Sequence, residues 1–344
     1  MRVMLVGLGA VGRSLLQALD EVYAQMFEKR YGFYPRIVAV VDSKGAALNP
    51  SGLPLKKVLR VKKVEGTVGK MEGFGVPGLE TTEVVEQVEA DVMVEATPTN
   101  LSNGEPGLTN IKKALINHMH VVTVNKGPLA IAMPSLMELA RYNKVQLRFS
   151  GTVGGGTPIL KFGRECLEGD RVISIKGVLN GTTNYILTKM DEEGVSMPEA
   201  LKEAQLKGYA ETDPRYDVKG LDTACKLVIL ANWVLKKRIS LRDVTVTGIE
   251  NVTEKQVLKA RREGRCVKLI GSAGETFYVK PEALPRGHPL CVHGTLNAVS
   301  FQTQLGGEIT VVGKGAGGPE TACAIIRDLV DVKRTLTALH GGEA

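Results

Sequence analysis

The chain opens Met1-Arg-Val-Met-Leu-Val-Gly7-Leu-Gly9-Ala-Val-Gly12, an apolar run that breaks into glycines spaced G-x-G-x-x-G. Val3–Val6 reads as a buried strand. Just downstream, Val11–Arg30 carries Leu15, Leu16, Leu19, Val22, Tyr23, Met26 and Phe27 on one helical stripe. Three glycines between a strand and a helix have a mechanical meaning. The first allows a tight turn, the second lets backbone approach a diphosphate, and the third lets helix and strand pack closely. The diphosphate then rests on the free N–H groups and positive end of the helix. Gly7, Gly9, Ala10, Val11 and Gly12 are therefore expected to bind a dinucleotide; a merely structural glycine turn is the plainer alternative.

Working outward, Ile37–Val41, Val92–Ala96, Val121–Val124 and Val145–Phe149 are further short apolar runs. Asn110–Asn117 and Pro134–Tyr142 have helical spacing between them. This alternation predicts βαβ units and a doubly wound parallel sheet buried on both faces. The second strand ends at Asp42, further from Gly12 than the usual ~20 residues because the intervening helix is long. A carboxylate there is placed to accept hydrogen bonds from an adenosine ribose, favouring NAD; a strand-end capping aspartate is the bland alternative. Lys44, Lys56 and Lys57 could hold a 2′-phosphate instead, so NAD and NADP both stay open. Thr97-Pro98, after the strand Val92–Ala96, falls at the same carboxyl edge and is expected to face the cofactor.

At Ser150-Gly-Thr-Val-Gly-Gly-Gly-Thr-Pro158 the texture changes, and such glycine density marks tight turns or a domain junction. Helices are expected at about Pro158–Leu167, Pro198–Lys207, Gly220–Leu235 and Thr253–Glu263. Strands are expected at Arg171–Val178, Val267–Ala273, Phe277–Leu284 and Glu308–Val312. That irregular order suggests an α+β domain. A final helix runs from Pro319 to about Val332. With 344 residues, the chain exceeds the ~250–300 at which one core stops growing, so two domains are expected. The fold class is α/β, with a Rossmann-type domain over 1–149 and an α+β domain over 150–314.

A composition 43% hydrophobic and 24% charged is that of a globular protein. No apolar run nears the ~20 residues a bilayer span needs, and the N-terminus has no signal-peptide pattern, so no membrane and a cytoplasmic location are expected. The five cysteines are odd in number, scattered and never C-x-x-C, which argues against a disulfide framework and a structural zinc site. The histidines make no metal pattern. A net charge of +7 is spread along the chain rather than striped with aromatics, so anionic metabolites rather than nucleic acid explain it.

Three further segments carry a resemblance. They are Val121-Val-Thr-Val-Asn-Lys126, Asn180-Gly-Thr-Thr-Asn184, and Gly208-Tyr-Ala-Glu-Thr-Asp-Pro214 with Gly220-Leu-Asp-Thr-Ala-Cys-Lys226. In that order, after the glycine turn, the chain from Met1 to about Asp331 resembles homoserine dehydrogenase. The resemblance implies NAD(P)-dependent interconversion of aspartate 4-semialdehyde and homoserine, in threonine, methionine and isoleucine biosynthesis. Hydride delivery to an aldehyde needs a proton donor within hydrogen-bond reach, and Lys226 can serve, giving the proton or, when neutral, taking it back. Lys126 follows a strand whose carboxyl end borders the cofactor crevice, where a second ammonium can polarise the carbonyl. The resemblance assigns the substrate ammonium to Glu211, makes Asp222 a second substrate carboxylate, and puts Gly181 and Thr182 under the substrate. It further implies that the turn Gly315-Ala-Gly317 touches the cofactor, that the helix at about 315–335 returns to the first domain, and that the second domain makes a homodimer. Asp222 and Lys226 are also spaced as an ordinary i, i+4 surface pair, yet Ile229 and Trp233 complete the same face and make it unlike a solvated one.

One departure stands out. The family holds a monovalent cation (Na+) with a glutamate and carbonyls of the glycine-rich junction, here Val153, Gly155 and Thr157. The glutamate position is Ser150, and losing that charge should weaken cation binding. The chain ends about a dozen residues after its last helix, so no threonine-sensing module is expected. The rival readings are another Rossmann amino-acid dehydrogenase and a non-catalytic dinucleotide sensor. Turnover of homoserine separates them.

Overall fold

A computed structural model describes residues 1–340 and divides into two compact units: Met1–Thr152 with the chain from Gly317 on, and Val153–Ala316. The first unit is built on seven strands, β1 (Arg2–Val6), β2 (Arg36–Asp42), β3 (Gly45–Leu48), β4 (Gly75–Pro77), β5 (Val92–Glu95), β6 (His120–Thr123) and β7 (Leu147–Arg148). Their order is β4-β3-β2-β1-β5-β6-β7. The five strands from β2 to β7 in that order pair in parallel, and only the β3 and β4 edge is antiparallel. The apolar runs explain the parallel part: Val3, Met4, Leu5, Val40, Met93, Val94, Val121 and Val122 are fully buried. The chain reverses its winding between β1 and β5, so their carboxyl ends flank the crevice where open α/β sheets bind ligands.

The stripe after Gly12 forms two helices, Ala10–Gln17 and Ala24–Tyr31, joined by a π-turn at Ala18–Val22. The antiparallel edge strands β3 and β4 and the helices Leu55–Glu65 and Thr81–Gln87 lie outside the sequence expectations. Lys-rich Leu55–Glu65 buries only Leu55 and Val58 fully, too little to show a stripe. The last helix, Gly318–His340, is longer than expected and starts after Gly317 rather than at 315. It supplies Ala322, Ile325, Ile326, Leu329, Val330 and Val332 to the same core as Val3, Leu15, Leu16 and Val94.

The second unit holds a six-stranded sheet of β8 (Val172–Val178), β9 (Thr245–Val246), β10 (Arg265–Ala273), β11 (Phe277–Pro285), β12 (Leu296–Thr303) and β13 (Gly307–Lys314), ordered β13-β12-β8-β10-β11-β9. Among its helices, Leu221–Trp233 is buried at every position from Asp222 to Ala231. A helix apolar nearly all round belongs inside a domain. The cysteine expectation needs correcting, because Cys266 and Cys291 form a disulfide across a sequence separation of 25, with Cα atoms 6.4 Å apart. Odd number and scatter exclude a framework but not one bridge between a strand and a nearby loop.

The returning helix carries a deeply buried acid, Asp328. Asp328 is 1% exposed and accepts from Ser150 N at 2.8 Å and Ser150 Oγ at 2.6 Å. Burial outweighs those bonds and pushes its carboxyl from 3.8 up to about 6. A raised acid binds its proton more tightly folded than unfolded, so its contribution to stability is greatest below pH 4 and is lost as pH rises through 6. Asp328→Asn removes that loss. Urea unfolding should show its stability relative to the unmodified chain growing by roughly 1–3 kcal/mol between pH 4 and pH 7; a difference independent of pH contradicts the assignment.

Candidate active site

The glycine turn sorts its residues by what constrains them. Gly7, with φ +95°, has its Cβ position against the Ala96 carbonyl and Thr97 N, and a Cβ on Gly12 would strike the Gly7 carbonyl. Both are forced by the protein's own packing. Gly9 is different: its φ of −79° suits any residue and its Cβ position meets nothing within 4 Å. Nothing inside the protein asks for glycine there, and the bare backbone leaves the close approach that a diphosphate needs. The helix that follows has no side-chain cap and no acidic residue in its first turn, which leaves its N–H groups and positive end to an anion. These residues fit a dinucleotide diphosphate.

Asp42 stands at the end of β2, but its carboxylate, 3% exposed, is consumed by the protein. It accepts from Lys44 N (2.9 Å), Thr67 Oγ1 (2.9 Å), Lys62 Nζ (2.8 Å) and Val68 N (2.9 Å). Burial raises its carboxyl, and those donors, Lys62 foremost, more than reverse this and leave it lowered. Asp42, expected as a ribose acceptor, also anchors the turn between the helix Leu55–Glu65 and β4. Of the three lysines set against it, Lys56 lies near Asp20 and Lys57 donates to the Glu72 carbonyl.

Across the crevice, Glu95 ends β5 wholly buried. Its Oε1 accepts from both N and Oγ1 of Thr97, and its Oε2 from Thr123 Oγ1 at 2.9 Å. All its hydrogen-bond partners among the described residues are neutral, and burial raises its carboxyl. Asn125 completes the network, donating to Thr97 Oγ1 (3.2 Å) and the Pro98 carbonyl (3.3 Å) while its Oδ1 caps Gly127 N. So Thr97-Pro98 and the helix that begins at Lys126 are tied together at the carboxyl edge. The sequence reading missed Glu95 and Asn125. A lone acid in the apolar run Val92-Met-Val-Glu95 was the available signal.

In the second unit the chemistry gathers at Leu179-Asn180, between β8 and the helix Gly181–Glu193. Asn180 Oδ1 caps that helix, accepting from Thr183 N at 2.8 Å, and its Nδ2 donates to Asp217 Oδ1 (2.6 Å) and Asp222 Oδ2 (2.9 Å). Lys226, 6% exposed, lies 2.6 Å from Asp222 Oδ2 and donates to the Leu179 carbonyl at 2.7 Å. Those two acceptors take two of its three N–H donors, and the third has no partner among the described residues. Asp217 is the residue sequence reading overlooked. Burial first, then the neighbouring Asp222 charge, raise its carboxyl.

The remaining expected residues fall as follows. Thr182 donates to the Tyr209 carbonyl at 2.8 Å, which ties the helix Gly181–Glu193 to the loop bearing Glu211. Gly181 packs against the Thr295 carbonyl. Glu211 itself is exposed, and its carboxylate makes no hydrogen bond or ion pair among the described residues. Gly315 packs on the Asn297 amide, while Gly317, at φ +132°, turns the chain into the last helix. Gly155 and Thr157 lie in a tight turn closed by Thr157 N donating to the Gly154 carbonyl at 2.8 Å, and Val153 immediately precedes it. Ser150 donates its hydroxyl to Asp328 and, unlike a glutamate, its neutral oxygen brings no charge to a cation shell.

Comparison with known proteins agrees with this architecture. Residues 7–150 match the family model "Homoserine dehydrogenase, NAD binding domain", and residues 158–330 match "Homoserine dehydrogenase". A homoserine dehydrogenase of Methanocaldococcus jannaschii is 43% identical, covering 96% of this chain and 98% of its own length. An NAD(+)-dependent homoserine dehydrogenase of Pseudomonas canavaninivorans is 38% identical over 98% of this chain and 97% of its own. The crystal structure of a putative homoserine dehydrogenase from Archaeoglobus fulgidus superposes with a TM-score of 0.89 at 39% identity, covering 97% of this chain and 99% of that one. A hyperthermophilic archaeal homoserine dehydrogenase solved with NADPH reaches 0.84 at 28% identity, with 97% and 98% covered. The chain belongs to the homoserine dehydrogenase family, oxidoreductases that use NAD or NADP.

Proposed function

We propose that Lys226 is the proton-transfer group in the interconversion of aspartate 4-semialdehyde and homoserine, and the third N–H of its buried ammonium carries this reading. The dinucleotide, when bound, supplies or accepts the hydride. As charge builds on the aldehyde oxygen, Lys226 donates its free N–H to that oxygen; in the reverse direction the neutral amine takes the hydroxyl proton. Asp222 and the Leu179 carbonyl hold the amine in place during both. Asp217, Asp222 and Glu211 supply the anionic surroundings that an amino acid's α-ammonium needs. Lys126 is the second ammonium, polarising the carbonyl from the head of its helix. Gly7, Gly9, Ala10, Val11, Gly12, Thr97 and Pro98 hold the dinucleotide.

A homodimer through the second unit and a cytoplasmic location complete the reading on the family resemblance. No helix among the described residues is long and apolar enough to cross a membrane.

Lys226→Ala should lower kcat by at least about 100-fold with dinucleotide affinity unchanged; steady-state kinetics with homoserine beside a fluorescence titration of reduced dinucleotide measures both, and an unaltered kcat removes Lys226 from the chemistry. Gly9→Val should do the reverse. Its side chain enters space open in the protein, so the melting temperature stays near that of the unmodified chain while dinucleotide binding is lost; normal titration would refute the diphosphate site. Lys62 offsets the Asp42 charge, which weakens repulsion of a 2′-phosphate. Lys62→Ala should therefore shift the NAD-over-NADP ratio of kcat/KM toward NAD by about tenfold, worth about 1.4 kcal/mol; a constant ratio would rule this out.

A further inference from the structure

The Leu179 carbonyl accepts two hydrogen bonds, from Lys226 Nζ at 2.7 Å and from Asn297 Nδ2 at 2.9 Å. Asn297 is the second residue of β12 and 1% exposed, and its Oδ1 is buried without a protein partner. Reversing the amide would set Oδ1 against the Leu179 oxygen, two acceptors face to face, so the hydrogen-bond network itself fixes the orientation. Gly315 closes the other side, where any Cβ would collide with the amide.

A buried acceptor left unmade costs roughly 1–3 kcal/mol. An apolar side chain of similar size would fill the space without that cost. Pairing of β12 with β8 and β13 does not call for the amide, since the backbone makes those ladders. What only the amide does is donate to the oxygen that also receives Lys226. With both donors in place that oxygen's lone pairs are committed, and the end of the long lysine stem has a fixed point to aim from.

We propose that Asn297 is a positioning residue for proton transfer: by donating to the Leu179 carbonyl it sets the direction in which Lys226 presents its remaining N–H. The inference rests on Lys226 being the proton-transfer group. It adds a residue from a strand far in sequence from the Gly208–Lys226 block, and it gives Gly315 a reason to lack a side chain.

Asn297→Ala removes the donor and the orphan acceptor together. The full-length chain is compared for melting temperature, affinity for reduced dinucleotide, kcat and KM with homoserine, and the solvent deuterium isotope effect on kcat. The expected result is a melting temperature within a few degrees, dinucleotide affinity and KM within about threefold, and kcat at least about tenfold lower with a larger isotope effect, because a misaimed ammonium slows the proton step. A kcat within about twofold of the unmodified chain, or a loss with no change in isotope effect, overturns the proposal. If the alanine variant does not fold, Asn297→Leu fills the space without a donor and faces the same two outcomes. Lys226→Ala run in parallel separates the failures. If it leaves kcat intact, the lysine's role falls; if it abolishes turnover while Asn297→Ala does not, only the positioning falls.

Discussion

Keeping an ammonium out of water costs several kcal/mol unless its surroundings replace the lost hydration. Lys226 meets that demand with a carboxylate at 2.6 Å and a carbonyl at 2.7 Å, and the second unit is arranged around supplying them. Helix geometry sets Asp222 and Lys226 one turn apart on a helix buried on nearly every side. The sheet brings in the end of β8 with the Leu179 carbonyl. Asn180, next in the chain, spends one amide on two acids and its oxygen on capping a helix. Removing any one of these leaves a buried charge or dipole unmatched, which is why the cluster holds together as a unit.

The nucleotide unit solves a different problem: it leaves the head of its first helix without a side-chain cap while keeping the surrounding turns rigid. Gly7 and Gly12 let β1, the following helix and the Ala96–Thr97 backbone crowd together. Rigidity on the far side comes from Glu95, an acid held by threonine and backbone donors rather than by a cation. Burying a carboxylate in this way is expensive, and the network ties the turn after β5 to the turn after β6.

What the sequence made legible followed physical strength. The glycine turn and the parallel strands were plain because Val3–Val6 and Val92–Glu95 are buried on both faces and read as unbroken apolar runs. The edge strands β3 and β4 were not, since Gly45-Ala-Ala-Leu48 and Gly75-Val-Pro77 show neither apolar mass nor alternation. β12 was missed for another reason. Ala298, Val299, Ser300 and Phe301 are all buried, so inward and outward positions cannot be told apart by polarity. Asn180-Gly-Thr-Thr-Asn184 resembles a loop in composition, and only the structure shows its asparagine capping a helix. Lys226 and Asp222 stood out through the Gly220–Lys226 block and the apolar face that Ile229 and Trp233 complete. Asp217 and Asn297 were not, because their importance lies in partners distant along the chain. Asp42 was legible at its place, but its partners Thr67 and Lys62 were not, since they arrive from segments that no local pattern links to it.

The last helix closes the nucleotide unit with residues that come after the whole of the second unit. During synthesis the ribosome releases β1 and its glycine turn before the second unit, and Ala322 to Val332, which join the same core, after it. The first half of this chain must wait, incompletely covered, while the second half takes shape, and contacts of such long sequence separation are slow to form. A nascent chain stopped before Gly318 lacks part of the hydrophobic interior that β1 is built to join.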